Sequence, residues 1–119
     1  MAETTVLHNP ACSTSRHALE AAAEAGVEVE VVPYLKQPLD RAALLDLLAK
    51  LEDEPAALVR KDSFFKDQGL DAADYTTPDQ VADLLVQYPR LMERPVLVRG
   101  DVAIIGRPKS RADAFLAQS

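Results

Sequence analysis

Two rhythms of apolar and polar positions divide the chain into three parts. In the first, Thr4 to Leu7 is a short apolar run of the kind a buried strand shows. Thr14 to Ala25 is rich in alanine, with Leu19, Ala22 and Ala23 on one helical face and Gly26 as a stop signal. Val27, Val29 and Val31 alternate with Glu28 and Glu30, which predicts a strand over 27–32. A strand, a helix and a strand so close together form a βαβ unit, which implies parallel strands. The second part, from about 39 to 92, has a helical period. Asp40 can cap a helix whose apolar face is Leu44, Leu47, Leu48 and Leu51. Short helices are expected near Pro55 to Arg60 and around Phe64 to Gln68. Thr77-Pro78-Asp79-Gln80 has capping-box spacing with proline at the first helical position, followed by Val81, Leu84, Leu85 and Tyr88 on one face. In the third part, Val96-Leu97-Val98-Arg99 and Val102-Ala103-Ile104-Ile105 flank Gly100-Asp101 as a hairpin. A last helix over Pro108 to Gln118 turns Ala112, Phe115 and Leu116 inward.

The resulting order is βαβ, helical insert, ββα. It predicts an α/β fold with a mixed four-stranded sheet, in the order of a thioredoxin-like sheet with helices inserted at its middle. The 119 residues suit one domain, 1–119, with the insert at about 39–92. Composition is that of a soluble globular protein, with 48% hydrophobic and 27% charged residues. No apolar run approaches a membrane span, and the N-terminus lacks the pattern of a signal peptide. One cysteine excludes an internal disulfide framework. A cytoplasmic, reducing location without a membrane partner is therefore expected, and nothing demands more than a monomer. The net charge of -6 argues against nucleic acid as a partner. Residues 90–111 run the other way, with Arg90, Arg94, Arg99, Arg107, Lys109 and Arg111 against only Glu93 and Asp101. A basic patch on an acidic protein suggests a small anion, although solvated surface arginines explain the charge equally well.

The chemistry centres on Cys12. A lone cysteine is commonly a small buried hydrophobe. This one follows Pro10, precedes the polar Ser13, Thr14 and Ser15, and sits where a strand turns into a helix. Free N–H groups and the positive end of the helix dipole favour a thiolate there, which can attack an electrophile beside a bound oxyanion. A tyrosine-phosphatase loop is excluded, because position 18 is Ala18 rather than arginine. A dithiol motif is excluded too, because position 15 is Ser15, so a disulfide must form with another molecule. Metal binding is not expected, since His8 and His17 lack ligand spacing with the cysteine. His8 either tunes the thiol or is a polar strand end, and His17 is expected at the solvent face of its helix. Arg60, Arg94 and Arg107 each border apolar sequence. A guanidinium fork can bind a tetrahedral oxyanion, yet taken singly each of the three reads as a surface salt bridge.

Five stretches carry a family resemblance. They are His8-Asn9-Pro10-Ala11-Cys12-Ser13-Thr14-Ser15-Arg16, Tyr34-Leu35, Leu58-Val59-Arg60-Lys61, Glu93-Arg94-Pro95-Val96-Leu97-Val98 and Ile105-Gly106-Arg107-Pro108. Together they resemble the arsenate reductases that couple to glutathione and glutaredoxin. Ser13, where the best-known members have glycine, and the short run after the last helix are similar to a shorter branch of that family. The resemblance implies a thioredoxin-like fold with a helical insert and a cis peptide before Pro95. It implies Cys12 as nucleophile, Arg60, Arg94 and Arg107 as oxyanion-binding groups, and His8 as a group that activates the thiol. Ser13, Thr14 and Ser15 then line the anion loop. It also implies arsenate as substrate, glutathione as cosubstrate with no bound cofactor, and glutaredoxin as partner. Two other classes share these features. One is a redox-linked transcription regulator of the same fold that binds RNA polymerase, whose Cys-x-x-Cys switch Ser15 removes here. The other is a glutaredoxin-type thiol-transfer enzyme.

Overall fold

A computed structural model describes residues 4–117. Four strands, β1 (Thr4–Leu7), β2 (Val29–Val32), β3 (Val96–Arg99) and β4 (Val102–Ile105), form one sheet in the order β2-β1-β3-β4. β1 runs parallel to β2 and antiparallel to β3, and β3 pairs antiparallel with β4. The sheet is therefore mixed and four-stranded, as the sequence predicts.

Alternation along the strands separates two apolar layers. Val6, Leu97 and Ile104 are aligned across β1, β3 and β4 and face helices α1 (Ser13–Ala25) and α5 (Lys109–Ala117). Leu7, Val96, Val98, Ala103 and Ile105 face the other way, into the larger cluster built by the insert. The insert consists of α2 (Arg41–Lys50), α3 (Ser63–Asp67) and α4 (Pro78–Gln87), joined by 3-10 turns at Pro55–Leu58, Ala72–Asp74 and Pro89–Leu91. Asp40 caps α2 by accepting the Ala43 N–H at 2.8 Å. The capping box of α4 is complete, with Thr77 Oγ1 accepting from Gln80 N and Gln80 Oε1 accepting from Thr77 N. Leu44, Leu47 and Leu48 of α2 and Val81, Leu84 and Leu85 of α4 are buried as expected.

Four expectations shift. The strand predicted over 27–32 begins at Val29, because the Val27 N–H is already bonded to the Ala22 carbonyl and the Gly26 N–H to that of Ala23. This pair of bonds closes α1 through Gly26, whose φ of 70° is one a side chain resists. The buried stripe of α1 is Ser15, Ala18 and Ala22, with Leu19 partly buried, whereas Ala23 is exposed. Tyr88 ends α4 as its cap and is half-buried, with its ring edge-on to Phe64. The last helix runs over Lys109–Ala117, with Ala112, Phe115 and Leu116 buried; Gln118 of the predicted span lies outside the described residues.

Gly106 joins the sheet to the site. Its N–H donates to the Pro95 carbonyl at 2.8 Å, and a Cβ there would stand 2.7 Å from Leu97 Cδ1 and 3.0 Å from Pro95 Cγ. Leu97 is fully buried and has little room to yield. Gly106→Ala is expected to destabilise the fold by about 1–3 kcal/mol through overpacking. A urea titration would check this, and an unchanged midpoint would contradict the close packing.

Candidate active site

Cys12 is the N-cap residue of α1, with extended backbone angles of φ −101° and ψ 122°. Pro10 and Ala11 turn the chain out of β1. Asn9 Oδ1 accepts the Ala11 N–H at 3.0 Å, and the Asn9 carbonyl accepts the Cys12 N–H at 3.0 Å. The Cys12 carbonyl in turn takes the Arg16 N–H. The thiol thus opens onto the first turn of α1, partly buried, and no side chain caps the helix there.

Burial pushes the Cys12 pKa up, but the Ser15 N–H, the Arg94 guanidinium and the Thr14 N–H outweigh it, so the thiol titrates below its ordinary value. Arg107 Nη1 lies 3.7 Å from Sγ and also donates to the Arg94 carbonyl at 3.3 Å. The two arginines divide the work. Arg107 makes the long contact to sulfur, while Arg94 supplies the charge that most favours the thiolate. Arg94 Nη1 donates to the Arg90 carbonyl at 3.2 Å, whereas its buried Nε has no hydrogen-bond partner among the described residues. Two guanidinium groups grouped at a thiol suit an incoming oxyanion. The Arg94–Pro95 peptide is cis, as the resemblance implies, and Arg107–Pro108 is cis as well.

His8 reaches the thiol only through Ser15. The fully buried Ser15 hydroxyl accepts the Asn9 N–H at 3.0 Å and hydrogen-bonds His8 Nδ1 at 2.7 Å. Burial and the nearby Arg16 charge lower the His8 pKa, with the Ser15 contact opposing. A base with a lowered folded-state pKa takes its proton more readily when unfolded. This contribution to stability is complete above the ordinary value of 6.5 and is lost as pH falls through the lower folded value. Urea midpoints should therefore decline below about pH 6.5, and decline less in His8→Gln. Superimposable pH curves would remove His8 from the account.

The remaining expected residues fall differently. Ser13 is exposed at the first position of α1, and Thr14 is partly buried beside the thiol. Arg60 is held by carboxylates. Its Nε donates to Asp62 at 3.2 Å, its Nη1 lies 3.6 Å from Glu93, and no hydrogen bond joins it to Cys12 among the described residues. His17 is not simply solvated, since its Nε2 lies 2.8 Å from Asp113 of α5. The basic 90–111 segment also divides. Arg111 is held by Asp53, and Arg99 reaches Thr4, the Phe115 carbonyl and the Phe115 ring. Arg90, Arg94 and Arg107 remain towards the thiol end.

Sequence reasoning passed over four residues here. Asn9 positions Cys12 through the turn. Tyr34 is buried with its hydroxyl donating to the Met92 carbonyl at 3.5 Å, and burial raises its pKa, so it stays a neutral phenol. Asp62 caps α3 and pairs with Arg60, and Arg90 lies over the Phe64 ring at 3.9 Å. Asn9 and Tyr34 carried a signal as members of the matching stretches, and Arg90 as one charge of the basic run.

Sheet order, insert and thiol placement together define a class, a thioredoxin-like protein whose only cysteine opens its first helix. The chain belongs to the ArsC family, whose family model matches residues 7–115. It is 37% identical over 118 residues to an arsenate reductase of Neisseria meningitidis serogroup A, covering 98% of this chain and 100% of that one. It is 40% identical over 99 residues to an arsenate reductase of Escherichia coli, covering 82% of this chain and 70% of that one. Among solved structures, the arsenate reductase from Vibrio cholerae superimposes with a TM-score of 0.81 at 28% identity, covering 94% of this chain and 97% of that one. No helix among the described residues is long and apolar enough to cross a membrane.

Proposed function

We propose that this protein is a monothiol arsenate reductase that draws its electrons from glutathione and glutaredoxin. The observation that carries the reading is a thiol at a helix N-terminus, its pKa lowered by the Arg94 guanidinium and by backbone N–H groups, with Arg107 Nη1 3.7 Å from its sulfur. The relatives named arsenate reductase support the choice of arsenate over other oxyanions. The Cys12 thiolate attacks arsenic(V), forming a sulfur–arsenic bond as one oxygen leaves as water or hydroxide. Arg94 and Arg107 neutralise the oxyanion through the attack, and Arg60 holds the neighbouring carboxylates. Glutathione then adds to the arsenic and displaces a second oxygen. A glutaredoxin thiol takes the glutathione sulfur as a mixed disulfide, leaving two electrons on arsenic. Hydrolysis of the sulfur–arsenic bond returns Cys12 and releases arsenite.

The test is NADPH consumption with arsenate, glutathione, glutaredoxin and glutathione reductase. Arsenate-dependent turnover is the expected result. Its absence, with turnover of a small mixed disulfide instead, would make the protein a thiol-transfer enzyme. Its absence with capture of RNA polymerase would favour the regulator.

A further inference from the structure

We propose that Arg90 reads the carboxylate of a small anionic thiol, or of its disulfide, as that molecule approaches Cys12. The proposal rests on the reading above only in taking Cys12 as the reacting sulfur and glutathione as its partner. Asn9, Leu35, Asp62, Arg90 and Arg94 wall a cleft of about 320 Å³. That is about ten times the volume a water occupies in the liquid, and more than a tetrahedral oxyanion fills. Asn9 and Arg94 tie this cleft to the thiol, the first by accepting the Cys12 N–H and the second through its carbonyl, which accepts from Arg107 Nη1, the group 3.7 Å from the sulfur.

Arg90 supplies a charge that the oxyanion does not need. Its guanidinium carbon lies over the Phe64 ring, 3.9 Å from the centroid, and the Phe64 ring is braced edge-on by Tyr88 at 5.7 Å. The stacked face is fixed while the N–H edge stays open. Among the described residues no carboxylate lies within 4.0 Å of Arg90, although its charge helps to hold the Asp62 carboxyl below its ordinary pKa. Asp62, the acid in the same cleft, already accepts from Arg60 Nε at 3.2 Å and from the Phe65 N–H at 3.1 Å. Leu35, 44% exposed, offers an apolar wall to the stem of a ligand. A carboxylate, a short aliphatic stem and a sulfur are the parts this cleft and Cys12 would take together.

The direct readout needs no arsenate. The Cys12 thiolate attacks one sulfur of glutathione disulfide. A Cys12–glutathione disulfide forms, the original sulfur–sulfur bond breaks, and the second glutathione leaves as its thiolate. The second-order rate of this reaction, followed by mass spectrometry, is compared with that of uncharged hydroxyethyl disulfide. Arg90→Gln is expected to slow glutathione disulfide about tenfold and leave hydroxyethyl disulfide unchanged, with recovery in Arg90→Lys. Equal rates for wild type and Arg90→Gln, an equal fall with both disulfides, or a wild type unreactive with glutathione disulfide would each overturn the proposal. Failure of arsenate turnover alone would leave this measurement untouched, so the two readings fail separately.

Discussion

Cys12→Ser is expected to reduce arsenate-dependent NADPH consumption to the background of the coupling enzymes. A serine hydroxyl stays protonated at neutral pH, and neither the first turn of α1 nor Arg94 can shift it far enough to act as a thiolate does. The substitution leaves the fold intact, because Cys12 makes no side-chain cap and its backbone bonds to Asn9 and Arg16 do not involve sulfur. Loss of activity with an unchanged urea midpoint therefore locates the defect in the chemistry. Full turnover by Cys12→Ser would sink the mechanism, because the chain has no other cysteine to take its place.

Arg94→Gln is expected to lower turnover about 100-fold, the scale on which removing one oxyanion donor acts. It should also move the thiol. Removing a cation beside Cys12 disfavours the thiolate, so the midpoint of alkylation rate against pH should rise, and reactivity at neutral pH should fall. Arg107→Gln, which loses a 3.7 Å contact to sulfur, should move that midpoint less. An Arg94→Gln profile matching the wild type would mean that the helix N-terminus and Arg107 activate the thiol without Arg94.

The elements that could be read from the sequence are those with punctuation. Pro10 and Ala11 turn the chain toward α1, Gly26 closes α1, Thr77 and Gln80 open α4, and Gly100-Asp101 turns the hairpin. Each is a local event whose residues bond to one another. The alanine-rich face of α1 was harder to place, because alanine marks an apolar stripe weakly and contact with α5 and the sheet decides which alanines are covered. In the site, Cys12 was evident from its place at a strand-to-helix turn. The separation of Arg94 and Arg107 from Arg60 was not, because it depends on Asp62 and Glu93 taking up the Arg60 guanidinium. Arg90 was visible only as part of a basic run. Its stacking on Phe64 is a long-range contact with no local pattern to announce it.

The middle of the insert is stitched to its C-terminal end. Arg60 N–H donates to the Leu91 carbonyl at 2.6 Å, Glu93 N–H donates to the Leu58 carbonyl at 2.8 Å, and Val59 bridges Met92 between them. Arg60 and Arg94 leave this short ladder from its two strands, so their spacing is governed by a seam far from Cys12 in sequence. Leu58, Val59, Leu91 and Met92 of this seam are buried in the larger apolar cluster, so parting it means opening that core. The spacing of the two guanidinium groups is therefore expected to hold until the core itself gives way, and denaturant should release both together.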